Sequence, residues 1–261
     1  MASPDPIPIL KRVPITAAKV RARLLRPAYP SAPPAFDARM ALCAVFVVLA
    51  AAAFAPLDAR LSHWAISSEH HAVRLLAAYT DIGRSAAYLI SALAVMAWAS
   101  LRDWTRQGLS SKARLALLYS QALYVIAAIA GSGIFVNALK IIFGRARPLL
   151  FESVGAYDFQ PVRLGYKFAS FPSGHATTMG ALAMILALWF PRARIPFAGL
   201  CALIAASRVP AGAHYPSDVI AGFGLGVLFS LWFARLLARR NTVFAFTGKK
   251  LVPRLQFVRA A

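Results

Sequence analysis

The chain has 261 residues, 59% of them hydrophobic and only 15% charged, yet its formal net charge is +20. So much apolar surface excludes intrinsic disorder, and a nucleic-acid-binding domain, the usual reading of strong basicity, is far more polar than this. What remains is an integral membrane protein whose cations sit in loops and tails, so the charge has to be sorted by side of the membrane.

Residues 1–38 are rich in Pro, Ala and Arg and contain no long apolar run. No apolar stretch of a secretory signal lies near the start, and a basic, mostly irregular tail is expected there. A membrane-spanning helix needs about 20 apolar residues. Six segments approach that requirement: Met40–Leu57, Ala86–Leu101, Leu115–Leu139, Ala176–Phe190, Ile195–Ala206 and Val219–Leu237. Pro56 and Asp58 close the first, Lys140 ends the third, and Pro191 closes the fourth. The expected fold is all-α: a six-helix membrane domain over residues 39–238, flanked by basic tails at 1–38 and 239–261.

The connections differ in kind. Residues 58–85 suit an interfacial helix, with Trp64, Leu75, Leu76 and Tyr79 at membrane level. Within them, Asp81-Ile-Gly83-Arg84 either shapes the entrance to a site or caps a helix. Residues 102–114 and 191–194 are short and basic, and 140–175 form one long polar connection. Trp98, Trp104, Trp189 and Trp232 read as belt residues near span ends. Cys43 and Cys201 both lie in apolar runs, which suits small hydrophobes packed among helices rather than a disulfide framework.

Charge orients the bundle. With the N-terminus in the cytoplasm, twenty Lys and Arg but only three acids (Asp5, Asp37 and Asp103) fall inside; nine cations and six acids fall outside. The inner side therefore carries +17 and the outer side +3. By the positive-inside rule this supports six spans with both termini cytoplasmic. The basic tails either set this topology alone or also bind anionic lipid.

Three clusters then stand together at the outer ends of the expected helices: Lys140…Arg147-Pro148, Pro172-Ser173-Gly174-His175, and Ser207-Arg208…His214…Asp218. Lys140, Arg147 and Arg208 are cations suited to phosphate oxygens. Ser173 and Gly174 precede an apolar helix whose N-terminal N–H groups can bind an anion. His175 and His214 have the chemistry of a general acid and a nucleophile. Asp218 follows His214 by four residues, so one helical turn would place it beside the imidazole and let it orient the ring. Such a set describes phosphoryl transfer to an enzyme histidine.

These motifs resemble the signature of the type 2 phosphatidic acid phosphatase superfamily: Lys-x6-Arg-Pro, Pro-Ser-Gly-His and Ser-Arg-x5-His-x3-Asp, each complete here. The resemblance implies a membrane lipid-phosphate phosphatase with His214 as nucleophile, His175 as acid and Asp218 as the partner of His214. It implies a phosphate cradle of Lys140, Arg147, Ser173, Gly174 and Arg208, and chemistry without metal or other cofactor. Its expected partners are a lipid phosphate substrate and membrane lipids, not nucleic acid; protein partners stay open. A bacterial inner membrane with the site on the periplasmic side suits the outward-facing clusters. Among undecaprenyl diphosphate, lipid A, phosphatidylglycerol phosphate and phosphatidic acid, the outward site leans toward undecaprenyl diphosphate.

Other readings stand beside these. A lipid acceptor in place of water would make the same site a phosphotransferase, and a six-helix transporter is the non-enzymatic alternative. Transport predicts ionisable residues within the spans, and here they gather at one face. Vanadium-dependent haloperoxidases resemble the signature too, but they are soluble. Arg145, Arg163 and Lys167 read as interfacial anchors. His63, His70 and His71 read as structural, because adjacent histidines do not face one way on a helix. A metal reading of His175, His214 and Asp218 is disfavoured by three cations that would repel the ion.

Overall fold

The computed structural model describes residues 8–256 apart from Thr105 and Lys249, and the side chains of Ile9 and Leu10 are not described. Asp5, Lys249 and Arg259 of the charge tally, like the far ends of both expected tails, lie outside the described residues. The chain is mostly helical. All six expected apolar segments are helices: α2 (Ala38–Phe54), α5 (Ser85–Leu101), α6 (Leu109–Phe143), α8 (Gly174–Trp189), α9 (Arg194–Ala206) and α10 (Pro216–Ala238). Between them lie α3 (Asp58–Ser67), α4 (His71–Ala78) and the short α7 (Phe151–Val154).

Among the described residues, four helical stretches are long and apolar enough to cross a membrane: Ala38–Ser67, His71–Leu101, Leu109–Phe143 and Pro216–Ala238. Helix α8 is apolar but shorter. Along α2, Leu42, Val45, Phe46 and Leu49 are exposed. A soluble protein rarely leaves so long an apolar face uncovered, and a lipid-facing helix does. Cys43 on the same helix is likewise exposed, not packed among helices, whereas Cys201 is buried; both are free thiols.

The chain divides into two compact units. One comprises Met1–Asp37, Ala86–Ala127 and Trp232–Ala261. It corrects the expectation of an irregular N-terminal tail, because Ile9–Leu24 forms a helix, α1, despite Pro14 inside it. The cause is amphipathicity. Thr16, Val20 and Leu24 recur every four residues and so share one face. Thr16 and Val20 are buried, and Val20 packs in one apolar cluster with Ala99, Trp104, Leu115 and Tyr119 while Leu24 lies against it. Trp104 is thus a core residue, not a belt residue, and its indole N–H donates to the Ala99 carbonyl at 3.0 Å. Arg12 donates to the Leu101 carbonyl and sits 3.6 Å from Asp103. In the same unit Arg235 is fully buried, bonded to Asp37 at 2.7 Å and to the carbonyls of Pro34, Ala35 and Leu251. A two-stranded antiparallel hairpin, β1 (Phe244–Ala245) and β2 (Arg254–Leu255), follows α10.

The other unit comprises Ala38–Ser85 and Ala128–Leu231 and holds all three motif clusters. Its helices meet backbone to backbone through glycine. A Cβ added at Gly226 would stand 2.0 Å from the Thr177 carbonyl oxygen, and one at Gly222 would stand 2.4 Å from that of Ser173. Gly180 on α8 is as close to the Phe223 carbonyl, 2.0 Å from such a Cβ. Small residues spaced by four let membrane helices approach this closely. The consequence is local to the site: the start of α8 is pressed against the start of α10, and the Ser173 N–H donates to the Asp218 carbonyl at 3.0 Å.

Candidate active site

Lys140 lies in the last turn of α6, where a cation complements the helix dipole. A Cβ placed on Gly174 would stand 3.9 Å from its Nζ, so the ammonium reaches the start of α8. Ser173 is the N-cap of α8, its hydroxyl accepting from the Ala176 N–H at 3.4 Å. The N–H groups of the next residues are those a helix start offers to an anion.

Arg147 is buried. Its two terminal nitrogens donate to the Ala213 and Ala169 carbonyls, each at 3.3 Å, and its guanidinium stacks 3.8 Å over the Tyr166 ring. Arg208 follows α9 and donates to Thr80 Oγ1 at 2.8 Å. None of Lys140, Arg147 and Arg208 forms an ion pair among the described residues. Burial first, then the charge of the other arginine, pulls Arg147 below its ordinary pKa; burial likewise lowers that of Arg208. Both stay charged, since a guanidinium does not deprotonate in proteins. Gathering like charges in a poorly solvated place costs free energy, and an anion between them offsets that cost.

His214 lies in the loop between α9 and α10 and is 1% exposed. The Ala213 and His214 N–H groups both donate to the Arg208 carbonyl, and Gly212 takes a positive φ of 66° to let the chain reverse. His214 Nδ1 faces Asp218 Oδ2 at 3.7 Å, an ion-pair separation longer than a hydrogen bond. Burial pushes the His214 pKa down to about 4, against the opposing pull of Asp218, and Arg147 and Lys140 lower it further. The ring is therefore neutral near pH 7, with Nε2 free to act as a base or nucleophile once Nδ1 carries the proton.

His175 is in the first turn of α8. The turn Tyr79–Gly83 lies against it: a Cβ at Gly83 would stand 3.1 Å from His175 Cβ. The same turn supplies Thr80 to Arg208, and the exposed Arg84 pairs with Asp81 at 3.0 Å. The Asp81–Arg84 segment thus lines the site.

Five polar atoms here are buried and lack a hydrogen-bond partner among the described residues: Arg147 Nε, Arg208 Nε, His175 Nε2, His214 Nδ1 and Tyr215 Oη. Buried polar groups are nearly always paired, and each exception calls for an explanation. Of these, Arg147 Nε and Arg208 Nε are obligate donors that an added acceptor could satisfy.

Arg145 corrects the reading of an interfacial anchor. It is 2% exposed and bridges Asp58 and Asp218 at 2.8 and 2.6 Å. Burial lowers its pKa, but the two carboxylates outweigh this and raise it. Ser170 Oγ donates to Asp218 Oδ2 at 2.6 Å, and the Tyr215 N–H does so at 2.9 Å. Of the other residues read as anchors, Arg163 stacks 3.9 Å over Phe168. His70 caps α4, its Nδ1 accepting from the Ala72 N–H at 3.3 Å, which fits a structural role. Sequence reasoning missed Asp58, Thr80, Ser170 and Ser217. The one local signal was Asp58 itself, an acid at the end of an apolar run.

The structure is thus that of a helical membrane protein with Arg147, Arg208 and His214 buried in one compact unit. Residues 121–242 match the family model of the PAP2 superfamily. Over 134 residues the chain is 42% identical to a Lipid A 1-phosphatase of Rhizobium johnstonii, covering 51% of this chain and 55% of that one. It is 40% identical over 152 residues to a Lipid A 1-phosphatase of Rhizobium etli, covering 56% and 66%. The chain thus spans between about half and two thirds of the length of these relatives. The crystal structure of a transmembrane PAP2-type phosphatidylglycerolphosphate phosphatase from Bacillus subtilis superposes with a TM-score of 0.51 at 21% identity. It covers 74% of this chain and 93% of that one, and so shares its fold.

Proposed function

We propose that this protein is an integral membrane lipid-phosphate phosphatase that removes a phosphate through a phosphohistidine on His214. The observation that carries the reading is the pair of buried arginines, Arg147 and Arg208, each with an unpartnered Nε, together with Lys140 reaching the start of α8 and a neutral His214. Lys140, Arg147, Arg208 and the N–H groups of α8 hold the phosphoryl oxygens and stabilise the charge of the transition state. His214 Nε2 forms a bond to phosphorus as the bond to the lipid oxygen breaks. The electron pair leaves with that oxygen, which takes a proton from the His175 imidazolium, the ring having been protonated when the phosphate dianion came to lie beside it. Asp218 stabilises the positive charge that develops on His214. Water then attacks the phosphohistidine, His175 accepts its proton, and phosphate departs. The cations supply the charge neutralisation, so the chemistry is expected to persist in EDTA.

From the charge asymmetry we infer six spans with both termini cytoplasmic and a site on the periplasmic face of the inner membrane, where a lipid keeps its chains in the bilayer and its phosphate in water. The two rhizobial relatives shift the favoured substrate from undecaprenyl diphosphate to lipid A bearing a phosphate at position 1. The test is phosphate release by the purified protein in lipid vesicles, over lipid A, undecaprenyl diphosphate, phosphatidylglycerol phosphate and phosphatidic acid. Lipid A is expected to give the highest kcat/KM, and His214→Ala is expected to bring release to background. A higher value for another lipid would overturn the substrate, and a newly phosphorylated lipid in place of free phosphate would make the enzyme a phosphotransferase. Undiminished release by His214→Ala would overturn the mechanism.

A further inference from the structure

Beside His214 lies a buried ionic cluster of Asp58, Arg145, Ser217 and Asp218, which meets the phosphate cradle where the Ser173 N–H donates to the Asp218 carbonyl. Asp58, at the start of α3, is fully buried. Its Oδ1 accepts from the Ser217 N–H at 2.9 Å, and its Oδ2 accepts from Ser217 Oγ and, at 2.8 Å, from Arg145 Nη2. Arg145 Nη1 donates to Ser217 Oγ at 2.8 Å and to Asp218 Oδ1 at 2.6 Å. Its Nε and Nη2 also donate to the Ala156 carbonyl, at 3.1 and 2.8 Å. Each guanidinium nitrogen is thereby used within the cluster. Asp218 Oδ1 is taken by Arg145, which leaves Oδ2 for Ser170, the Tyr215 N–H and the imidazole of His214.

We infer that Asp58 and Arg145 are positioning residues, which hold Asp218 and the first turn of α10 so that Oδ2 faces Nδ1 of the histidine. The inference rests on the phosphohistidine reading above. Two physical reasons support it. First, Asp58 holds both the backbone and the hydroxyl of Ser217, the neighbour of Asp218, so it fixes the helix start that carries the carboxylate. Second, two buried carboxylates around one guanidinium leave one negative charge uncompensated, and burying such a charge is costly. His214 is the group beside it that becomes positive when Nε2 bonds phosphorus. The cluster therefore favours the charged ring over the neutral one.

Neither residue touches phosphate, so their loss should lower kcat and leave KM nearly unchanged. The experiment compares Arg145→Gln and Asp58→Asn, alone and combined with Asp218→Asn, by phosphate release in vesicles over the four lipids above. Removing an outer partner of this kind should cost kcat about 10- to 100-fold, with KM within about threefold, because an interaction made only in the transition state is what is lost. In the Asp218→Asn background the further loss should be below about threefold, since residues acting through one another are not additive. Full multiplicative losses in that background, or a raised KM with kcat intact, would overturn the proposal. If Arg145→Gln yields no folded protein, the nearly isosteric Asp58→Asn carries the same comparison.

A second readout does not need turnover. The titration of His214 is followed by 15N-histidine NMR in detergent; the charged groups facing this ring are Asp218, Arg147 and Lys140, with Arg145 and Asp58 behind Asp218. Removing the Arg145 cation should raise the midpoint, and removing the Asp58 anion should lower it. Shifts of the same sign, or no shift, would count against the inference. If the wild type releases no phosphate from any of the four lipids, the phosphatase reading falls, and the titration still decides this one.

Discussion

Arg145 and Arg147 are separated by a single alanine, and both guanidinium groups are buried. Their surroundings are opposite. Arg145 bridges two carboxylates and gives its remaining donors to Ser217 and a backbone carbonyl. Arg147 has long contacts to two carbonyls, an aromatic ring against its face, and an Nε without a partner. The difference separates two uses of one residue type. On the proposed mechanism, the cation whose donors are consumed by the protein organises the site, whereas the cation kept short of partners receives the anion.

The largest effect that sharpens this contrast is expected from Arg147→Ala. Losing one preorganised donor to a transition-state oxyanion costs about 100- to 1,000-fold, so kcat/KM should fall by that factor in the phosphate-release assay. A smaller loss than that of Arg145→Gln would break the distinction.

Next comes the backbone contact that seats both regions. Gly222→Val would drive a side chain into the Ser173 carbonyl, and overpacking of this kind costs about 1–3 kcal/mol or more. Melting of the purified protein in detergent should fall by several degrees and activity should fall with it, since Ser173 opens the turn proposed to bind phosphate. An unchanged melting temperature would contradict the close α8–α10 approach.

Acidity tests the neutral nucleophile. With His214 held down to about 4, the nucleophilic form persists below pH 6 and is lost only as pH falls through the lowered value. The acid limb of kcat/KM should therefore lie near 4; a limb near 6.5, the ordinary histidine value, would show that burial does not control the ring. The smallest effect is expected at Tyr166. Its ring covers Arg147, and removing a cation–π contact costs about 0.5–2 kcal/mol, so Tyr166→Ala should lower kcat/KM by a few-fold to about 30-fold, and a larger loss would give the tyrosine a further role.

Much of this architecture was legible in the chain. The six apolar segments stood out because helix length and apolar run coincide, and the three clusters stood out because their spacing carries the chemistry. Helix α1 was missed because Pro14 and the absence of an apolar run hide an amphipathic stripe whose partners, Ala99, Trp104 and Leu115, lie about 80 to 95 residues away. Arg145 was misread because a cation at a helix end looks the same whether it meets headgroups or carboxylates. Its partners Asp58 and Asp218 are 87 and 73 positions distant, and no local period links them. Side-chain pairing across helix ends is decided by tertiary packing, which a single sequence does not display.

The central claim is that His214 carries the phosphoryl group. It is tested most directly by brief reaction with 32P-labelled lipid phosphate, an alkaline quench that preserves phosphohistidine, and mapping of the labelled peptide. The expected result is label on the peptide containing His214, labile to acid and absent from the His214→Ala variant. Label on another residue, or none while the enzyme turns over, would contradict the account.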